Sequence, residues 1–141
     1  MNIKIKYLRD IEKVSIIENG DWIDLRSGES RFIRKNTYEA IPLGVAMELP
    51  KGYSAILAPR SSLFSKYGVI CANSFGIIDN SYNGDRDEWH FLVYATRDTY
   101  IEKNARICQF RIIKQQPDIE LTEVISLGNK NRGGIGSTGD K

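Results

Sequence analysis

Apolar and polar residues alternate in short runs along most of the chain. Near the start, residues 3–7 place Ile3, Ile5 and Tyr7 on one side and two lysines on the other. A two-residue period of this kind is typical of a strand with one face in water. The same pattern predicts further strands at Val14–Ile17, Trp22–Leu25, Arg31–Arg34, Ala40–Leu49, Tyr53–Ala58, Val69–Ile78, Glu88–Ala95, Ala105–Ile113 and Ile119–Val124.

Turn-forming residues separate these runs. Pro50–Gly52 and Lys103–Asn104 have the composition of hairpin-like junctions. The one predicted helix is the short stretch 62–67 after Ser61, because it opens with serines, which favour helix starts. Many short strands with frequent turns indicate an all-β sandwich or barrel.

Length and charge narrow the class of protein. A chain of 141 residues and 16.0 kDa predicts one domain, large enough to bury about 70% of its unfolded surface. Its 20 basic and 18 acidic residues are well mixed and give a formal net charge of +2. This balance argues against a nucleic-acid partner bound through a broad basic face, but it allows small phosphorylated ligands.

Two cysteines and the absence of long apolar runs suggest the compartment. Cys71 and Cys108 lie far apart in strand-like contexts and form no C-x-x-C pair, so they are interpreted as buried free thiols in a reducing environment. No run approaches the ~18 apolar residues of a membrane span. The N-terminus alternates like a strand and is unlike a signal peptide. A cytoplasmic location is therefore expected.

Residues 70–85 carry the strongest chemical signal. An apolar run ends in Asp79, where a carboxylate can orient a water or a sugar hydroxyl. Tyr82 follows three residues later and can close one side of a pocket, and the amide of Asn73 can read the edge of a nucleobase. The alternatives are ordinary ones: Asp79 as a turn-capping residue, Tyr82 as a turn aromatic, and Asn73 as a residue satisfied by its own backbone.

The C-terminal residues 128–141 form a second, distinct segment. They contain five glycines and one large apolar residue, Ile135, so they cannot build a core. Composition alone favours a disordered tail. The alternative is a flexible arm that orders over a phosphate, because glycine-rich backbone can turn its N–H groups toward an anion. The predicted organisation is thus a β domain at 1–127 and an arm at 128–141.

Five short motifs in fixed order connect these features. Each motif alone is weak, but the five together extend from residue 21 to residue 139. They are Asp21–Leu25, Pro59–Ser62, Ile70–Asp85, Arg106–Phe110 and Arg132–Gly139. In this order they resemble the motifs of the trimeric dUTP pyrophosphatases (dUTPases).

The resemblance implies a fold and an activity. The expected fold is a distorted, jelly-roll-like β-barrel that assembles as a homotrimer, with the arm of one subunit closing a neighbour's active site. The expected reaction converts dUTP and water to dUMP and pyrophosphate with Mg²⁺. It would limit uracil incorporation into DNA and supply dUMP for thymidylate synthesis.

The resemblance also assigns roles around the nucleoside and the attacking water. Asp79 corresponds to the residue that orients and deprotonates the water. Tyr82 resembles the tyrosine that stacks on deoxyribose and leaves no room for a 2′-hydroxyl. Asn73 is similar to the residue that binds uracil together with strand groups, here at Ile78.

Phosphate contacts are implied at three further motifs. The hydroxyls of Ser61 and Ser62 correspond to phosphate ligands and Arg60 to an organiser of phosphate and carboxylate; an ordinary helix cap beside a solvated arginine is the alternative. Gln109 resembles a residue that contacts phosphate or metal-bound water, and Asp24 is interpreted as support for the metal region. Arg106 is expected to pair with a carboxylate. The arm residues that match terminal-phosphate ligands are Arg132, Ser137 and Thr138.

One departure from the family concerns the ring that covers uracil. The arm usually carries a phenylalanine there, and this chain has Ile135. Strand alternation puts Trp89 and Phe91 on one face and His90 on the other. His90 is therefore the first candidate for a substitute lid and Trp89 the second, while a surface histidine without a role is nearly as plausible. This shifted lid resembles a subset of dUTPases from some Gram-positive bacteria and their phages.

Two other functions fit the same scaffold. A dCTP deaminase would need a glutamate about ten residues after the third-motif carboxylate, where this chain has Trp89, with Glu88 one step away. A nucleotide-responsive regulator that binds another protein is the second alternative, and a regulatory partner is expected if the chain is phage-encoded. Pyrophosphate release would mark the hydrolase and ammonia release the deaminase.

Overall fold

Short strands account for most of the regular structure, as the alternation predicts. The computed structural model describes residues 1–136 and 139. The elements in chain order are β1 (Lys4–Tyr7), β2 (Ile23–Arg26), β3 (Arg31–Ile33), β4 (Tyr38–Pro42), β5 (Val45–Glu48), β6 (Tyr53–Pro59), α1 (Leu63–Tyr67), β7 (Val69–Cys71), β8 (Gly76–Ile78), β9 (His90–Ala95), β10 (Thr99–Ile101) and β11 (Arg106–Lys114).

Antiparallel hydrogen bonds join these strands into small sheets around one core. Across the described residues the sheet orders are β2-β11-β6-β8, β4-β9-β7, β1-β5 and β3-β10. The core takes side chains from every sheet, and the largest are Trp89, Phe91 and Phe110, each at most 2% exposed. The all-β prediction is confirmed.

Two predicted strands are each split into two by a turn. The run 40–49 breaks at Gly44, whose φ of +73° is a left-handed conformation that glycine adopts without strain. The run 69–78 breaks at residues 72–75, where Ser74 has φ of +66° and its N–H donates to the Cys71 carbonyl. This second break moves the chain from the sheet of β7 to the sheet of β8.

Other strand predictions were wrong. Val14–Ile17 and Ile119–Val124 have no partner strand among residues 1–136, although both alternate. Side chains in the second segment point into solvent, with Leu121 94% exposed. Conversely, β10 was not predicted, because three residues are too short to show a period.

The predicted helix is present as α1. It ends at Gly68, which has φ of +66° and donates its N–H to Phe64 O at 2.7 Å. The prediction that serines cap its start was wrong in detail, because Ser62 has helical dihedral angles and its side chain makes no cap hydrogen bond. None of the helical segments in the described part of the chain has the length and apolar character of a membrane-crossing helix.

Candidate active site

One open cavity collects the predicted base- and sugar-binding residues. It has a volume of about 220 Å³. Asn73 and Ile78 come from the β7–β8 region, Tyr82 from the turn after β8, and His90 from the start of β9. Asn73 and His90, which are 17 positions apart in sequence, therefore line the same cavity. The remaining lining residues are Leu57, Gly76, Ile77, Glu88, Phe91 and Leu92.

The Asn73 amide is held in a fixed orientation. Its residue lies in the turn that joins β7 to β8, and its backbone carbonyl accepts the Phe75 N–H at 2.7 Å. The Cys71 thiol donates to Asn73 Oδ1 at 3.2 Å. Since Oδ1 is engaged in this way, Nδ2 is the amide atom that can donate to a ligand. Burial raises the pKa of Cys71, which keeps the thiol protonated as a donor.

Tyr82 and His90 converge on one backbone oxygen. The Tyr82 hydroxyl donates to the Glu88 carbonyl at 2.9 Å, and His90 Nδ1 lies 2.9 Å from the same oxygen. Because a carbonyl only accepts, Nδ1 must carry the proton, which leaves Nε2 of the neutral ring as an acceptor. The pKa of Tyr82 is raised by burial and by the nearby carboxylates of Asp87 and Glu88, so the hydroxyl stays a donor.

The predicted facing of residues 89–91 is present in the structure, although β9 begins only at His90, and the second lid candidate is wrong. Trp89 is fully buried and Phe91 is 1% exposed, whereas His90 is exposed and lines the cavity. The Trp89 ring packs edge-on against Phe110 with 5.2 Å between centroids. Trp89 is therefore a core residue that cannot cover a base. Its indole Nε1 has no hydrogen-bond partner in the described structure.

Asp79 follows β8 immediately and is exposed. Its Oδ1 accepts the Ser81 N–H and the Ser81 hydroxyl, each at 2.9 Å. These two bonds lower the pKa of Asp79, the backbone bond most and the hydroxyl next. Asp79 thus makes the turn-capping contact that was the alternative to a role at the water. Within the described residues, neither of these two hydrogen bonds uses Oδ2. The same residue can cap the turn and present its second oxygen to a water.

A second cluster gathers charged residues of the first, second and fourth motifs. Asp24 Oδ1 lies 3.2 Å from Arg60 Nε, and its Oδ2 lies 3.7 Å from Arg106 Nη1. The predicted carboxylate pairing of Arg106 is thus present in the structure. Register explains the meeting, because Gln109 on β11 lies opposite Asp24 on β2 and Ala58 on β6.

An open cavity of about 340 Å³ adjoins this cluster. Asp24, Arg60, Ser61 and Gln109 line it. Gln109 Nε2 donates to the Pro59 carbonyl at 3.1 Å, so the side-chain oxygen is the atom turned to other partners. Hydroxyl, guanidinium and amide groups at one cavity are suited to phosphate oxygens. The other lining residues are Ile17, Gly20, Asp21 and Trp22.

The remaining predicted phosphate ligands lie outside this cavity. Ser62 is exposed at the start of α1, next to Ser61. Arg132 is exposed in the segment after β11, where Gly128, Gly133 and Gly136 all have positive φ. Ser137 and Thr138 lie outside the described residues. The structure therefore brings the predicted phosphate ligands Arg60, Ser61 and Gln109 together with Asp24, the predicted support of the metal region, and it does not bring Arg132 to them.

The two cavities share no lining residue, and Asp79 is far from the phosphate cluster. Ile78 pairs with Ala55, and the Asn80 side chain donates to Tyr53 O at 2.7 Å, so Asp79 lies beside the start of β6. Arg60 follows the end of β6. Six residues at ~3.3 Å each separate the two backbone positions by ~20 Å along the strand. Within one chain Asp79 and Arg60 therefore do not adjoin the same cavity.

Sequence reasoning missed several residues of the base cavity. Leu57 and Gly76 form its floor, and a Cβ at Gly76 would lie only 3.2 Å from Leu57 Cβ. The glycine in the third motif was the available signal for this close approach. Cys71 and Arg9 were missed because neither lies in a pattern that relates it to Asn73 or Glu88.

An all-β fold with one cavity lined by Asn73, Ile78, Tyr82 and His90 and a second lined by Asp24, Arg60, Ser61 and Gln109 is the arrangement expected of a nucleotide-binding protein. Comparisons with known proteins narrow the class. The dUTPase family model matches residues 22–139. A SPbeta prophage-derived deoxyuridine 5′-triphosphate nucleotidohydrolase, YosS of Bacillus subtilis strain 168, is 56% identical, with all of both chains covered. A deoxyuridine 5′-triphosphate nucleotidohydrolase of Clostridium acetobutylicum is 34% identical over 100% of this chain and 99% of that one.

Solved structures match in fold. The dUTPase of Staphylococcus bacteriophage 80alpha, as a G164S mutant with dUpNHpp, has a TM-score of 0.79 at 20% identity over 98% of each chain. The dUTPase of Streptococcus mutans has a TM-score of 0.71 at 21% identity, covering 82% of this chain and 98% of that one. This chain belongs to the dUTPase family and is a hydrolase of that class.

Proposed function

We propose that this chain converts dUTP and water to dUMP and pyrophosphate with Mg²⁺, and so keeps uracil out of DNA and supplies dUMP. One observation carries the proposal: Asn73, Ile78, Tyr82 and His90 line one cavity, and Asp79 follows directly on the strand that contributes Ile78. Groups for a base, a sugar and a water thus adjoin within the segment 73–90, which runs from the turn before β8 to the start of β9.

Selection of the base is assigned to the hydrogen-bond donor of Asn73, and selection of the sugar to the ring of Tyr82. Asn73 Nδ2 donates to a carbonyl oxygen of uracil, where cytosine would present an amine that cannot accept. The Tyr82 ring packs on the sugar, and a 2′-hydroxyl would contact it. His90 covers the exposed face of the base in place of the family's arm phenylalanine, since its ring is the exposed one in the strand 89–91.

Water activation is assigned to Asp79. The two hydrogen bonds from Ser81 keep the carboxylate ionised and fix its direction. A carboxylate whose pKa is lowered is a weak base, so its main contribution is to orient the water in line with the α-phosphorus. It accepts the water's proton as the bond to phosphorus forms and the bond to pyrophosphate breaks.

Binding of the charged phosphates is assigned to the cavity of about 340 Å³. Arg60, Ser61 and Gln109 bind phosphate oxygens there, with Ser62 beside them. Arg132, Ser137 and Thr138 add contacts from the arm at 128–141, which closes over the β domain at 1–127. The Asp24 carboxylate pairs with Arg60 at 3.2 Å and with Arg106 at 3.7 Å. Asp24 therefore positions Arg60, and Arg106 holds Asp24 in place.

Mg²⁺ fits the donor set of this cavity. The ion usually retains several waters and takes one or two protein contacts together with substrate phosphate oxygens. The Gln109 amide oxygen and the Asp24 carboxylate are the groups that would hold metal-bound water. When bound, Mg²⁺ offsets the charge that develops on the phosphate oxygens.

The separation within one chain supports the proposed assembly as a homotrimer, the state that the family resemblance implies. Because Asp79 and Arg60 lie ~20 Å apart along β6, a complete site takes its water-orienting residue and its phosphate cluster from different copies. Residues 119–127 support this proposal, since Ile119, Leu121, Ile125 and Leu127 are 62–108% exposed in one chain. Such an alternating apolar segment needs another copy to cover it.

Product analysis with dUTP tests the function. Wild-type protein with Mg²⁺ should release dUMP and pyrophosphate. Asp79→Asn should lower kcat at least ~100-fold and retain binding of a non-hydrolysable dUTP analogue. A fully active Asp79→Asn variant would overturn the assignment of Asp79. Wild-type protein that releases no pyrophosphate from dUTP would overturn the function itself.

The alternatives predict different products. A deaminase would release ammonia from dCTP, and its glutamate would have to be Glu88. That carboxylate instead accepts bonds from Arg9 and from the Gly44 N–H. A regulatory protein partner and a cytoplasmic location stay predictions, which co-purification from host cells in the presence and absence of dUTP would test.

A further inference from the structure

A single carbonyl oxygen connects two walls of the base cavity. The Glu88 carbonyl accepts the Tyr82 hydroxyl at 2.9 Å and the His90 Nδ1–H at 2.9 Å. Glu88 lies between β8 and β9, outside any regular element. Its backbone is held by the Glu88 N–H bond to Arg86 O and, one residue on, by the Trp89 N–H bond to Val45 O, each at 2.9 Å, and its side chain adds a further anchor.

The Glu88 side chain is fixed by three donors. Arg9 Nε donates to Oε2 at 2.7 Å, and Arg9 Nη2 donates to Oε1 at 3.3 Å. The Gly44 N–H donates to Oε2 at 2.9 Å. The Glu88 side chain is 14% exposed and the Arg9 side chain 37% exposed, so the two-pronged pair is shielded on the side of the carboxylate and open to solvent on the side of the arginine.

Packing fixes Arg9 as well. A Cβ at Gly28 would lie 2.7 Å from Arg9 Cδ and 2.8 Å from Pro42 O, so glycine makes room for the arginine stem. Glu29 contributes a second carboxylate 3.5 Å from Arg9 Nη1. The hydrogen bond to Glu88 raises the pKa of Arg9, in keeping with a permanent cation at this position.

We propose that Arg9 and Glu88 are positioning residues for nucleoside selection: their ion pair holds the 88 carbonyl, which aims the Tyr82 ring at the sugar and fixes the His90 tautomer at the base. This inference rests on the proposed roles of Tyr82 and His90. Arg9, in the N-terminal part of the chain, would then hold Tyr82 of the third motif in position.

The geometry explains why this pair bears on specificity more than on chemistry. Arg9 contacts neither Asp79 nor the Arg60 cluster in the described structure. Loss of the pair would let the 88 carbonyl move and would loosen Tyr82, whose ring must reject a 2′-hydroxyl. The water and the phosphates would keep their ligands. The expected signature is a higher KM and weaker sugar selection at nearly unchanged kcat.

Steady-state kinetics of four variants with dUTP and UTP test this signature. Arg9→Ala and Glu88→Ala should each raise KM for dUTP and lower the dUTP/UTP ratio of kcat/KM by roughly three- to tenfold, the loss expected for one or two hydrogen bonds. Arg9→Lys keeps the charge without the two-pronged contact and should give a smaller change. Tyr82→Phe keeps the ring, removes its bond to the carbonyl, and should lower the same ratio.

Glu48→Ala provides a control outside the Arg9–Glu29–Arg31 network. It removes an ion pair of 3.2 Å to Lys4 between β5 and β1, and it should leave KM and the dUTP/UTP ratio unchanged. Thermal unfolding of each variant establishes that it is folded. If the alanine variants do not fold, Arg9→Lys and Tyr82→Phe decide the question.

The outcomes separate this inference from the proposed function. Folded Arg9 and Glu88 variants with wild-type KM and sugar selection would overturn the inference while dUTP hydrolysis stands. A loss of kcat at unchanged KM would also overturn it, since that would place the pair in the chemistry. Wild-type protein that neither hydrolyses dUTP nor binds its analogue would overturn both.

Discussion

Ser81 donates two hydrogen bonds to the same oxygen of Asp79, one from its backbone N–H and one from its hydroxyl, each at 2.9 Å. The contact holds the turn after β8 and leaves the pKa of Asp79 below its ordinary value. One residue pair thus determines both the direction of the carboxylate and the pH range in which it is ionised.

A pH profile of Ser81→Ala tests this relationship. Because the folded-state pKa of Asp79 is lowered, the active carboxylate persists below the ordinary value of 3.8 and is lost as pH falls through the lowered pKa. Ser81→Ala removes the hydroxyl bond and keeps the backbone bond, so the pKa should rise in part. The acid limb of the kcat profile should move to higher pH.

A second serine variant serves as the control for this profile. Ser30 accepts the Lys103 N–H at 3.0 Å in another part of the fold, so Ser30→Ala should leave the acid limb in place. An acid limb at the same pH in wild type and Ser81→Ala would show that a group other than Asp79 controls that limb.

The lid role of His90 predicts a dependence on ring shape. His90→Ala removes the ring that covers the base and should raise KM for dUTP roughly tenfold, the scale of base–aromatic stacking. His90→Phe keeps a flat ring and should stay within about threefold of wild type if stacking is the contribution. Equal losses in both variants would instead assign the effect to the Nε2 acceptor. Unchanged KM in His90→Ala would remove His90 from the site.

Apart from β10, the strands that pair within the chain were predicted, and the prediction was wrong where pairing depends on something outside the run. Residues 119–121 alternate like residues 3–7, but only the latter have a partner strand, β5. A two-residue period indicates that one face of a strand is apolar. It does not indicate which other strand covers that face. The breaks at Gly44 and Ser74 were missed because their positive φ depends on the turn and not on the pattern.

The predicted site residues that are close in sequence line one cavity in the structure. Asn73, Ile78, Tyr82 and His90 meet there because the short segment 73–90 carries them. The contact of Arg9 with Glu88 spans 79 positions and has no local signal. Trp89 was placed correctly by alternation on the core face, and its use as a second lid candidate was the error.

The thiol of Cys71 should matter for recognition of uracil. It donates to Asn73 Oδ1 and so directs Nδ2 toward the cavity. Cys71→Ser keeps a donor and should retain KM and discrimination against dCTP. Cys71→Val removes the donor at similar volume and should raise KM several-fold, on the scale of one lost hydrogen bond, and lower that discrimination. The kcat/KM ratio for dUTP over dCTP measures the effect, and equal ratios in Ser and Val variants would contradict it.

Mixed oligomers test whether the site is shared between copies. Asp79→Asn removes the water-orienting residue, and a Ser61→Ala, Arg60→Ala double variant removes the phosphate contacts ~20 Å away along β6. Each should be nearly inactive alone. If a site takes Asp79 from one copy and Arg60 from another, random co-assembly leaves roughly one site in four with both groups intact. Activity should therefore reappear when the two are unfolded and refolded together.

Mixing the same two variants without refolding shows whether subunits must exchange before activity returns. Mixing the two variants as folded oligomers without refolding should restore little activity if subunits exchange slowly, and activity should then grow at the rate of subunit exchange, which labelled chains can report. Refolded mixtures that stay as inactive as the separate variants would contradict a shared site. In that case one chain would have to bring Asp79 to Arg60 by itself, which the register of β6 with β8 does not allow.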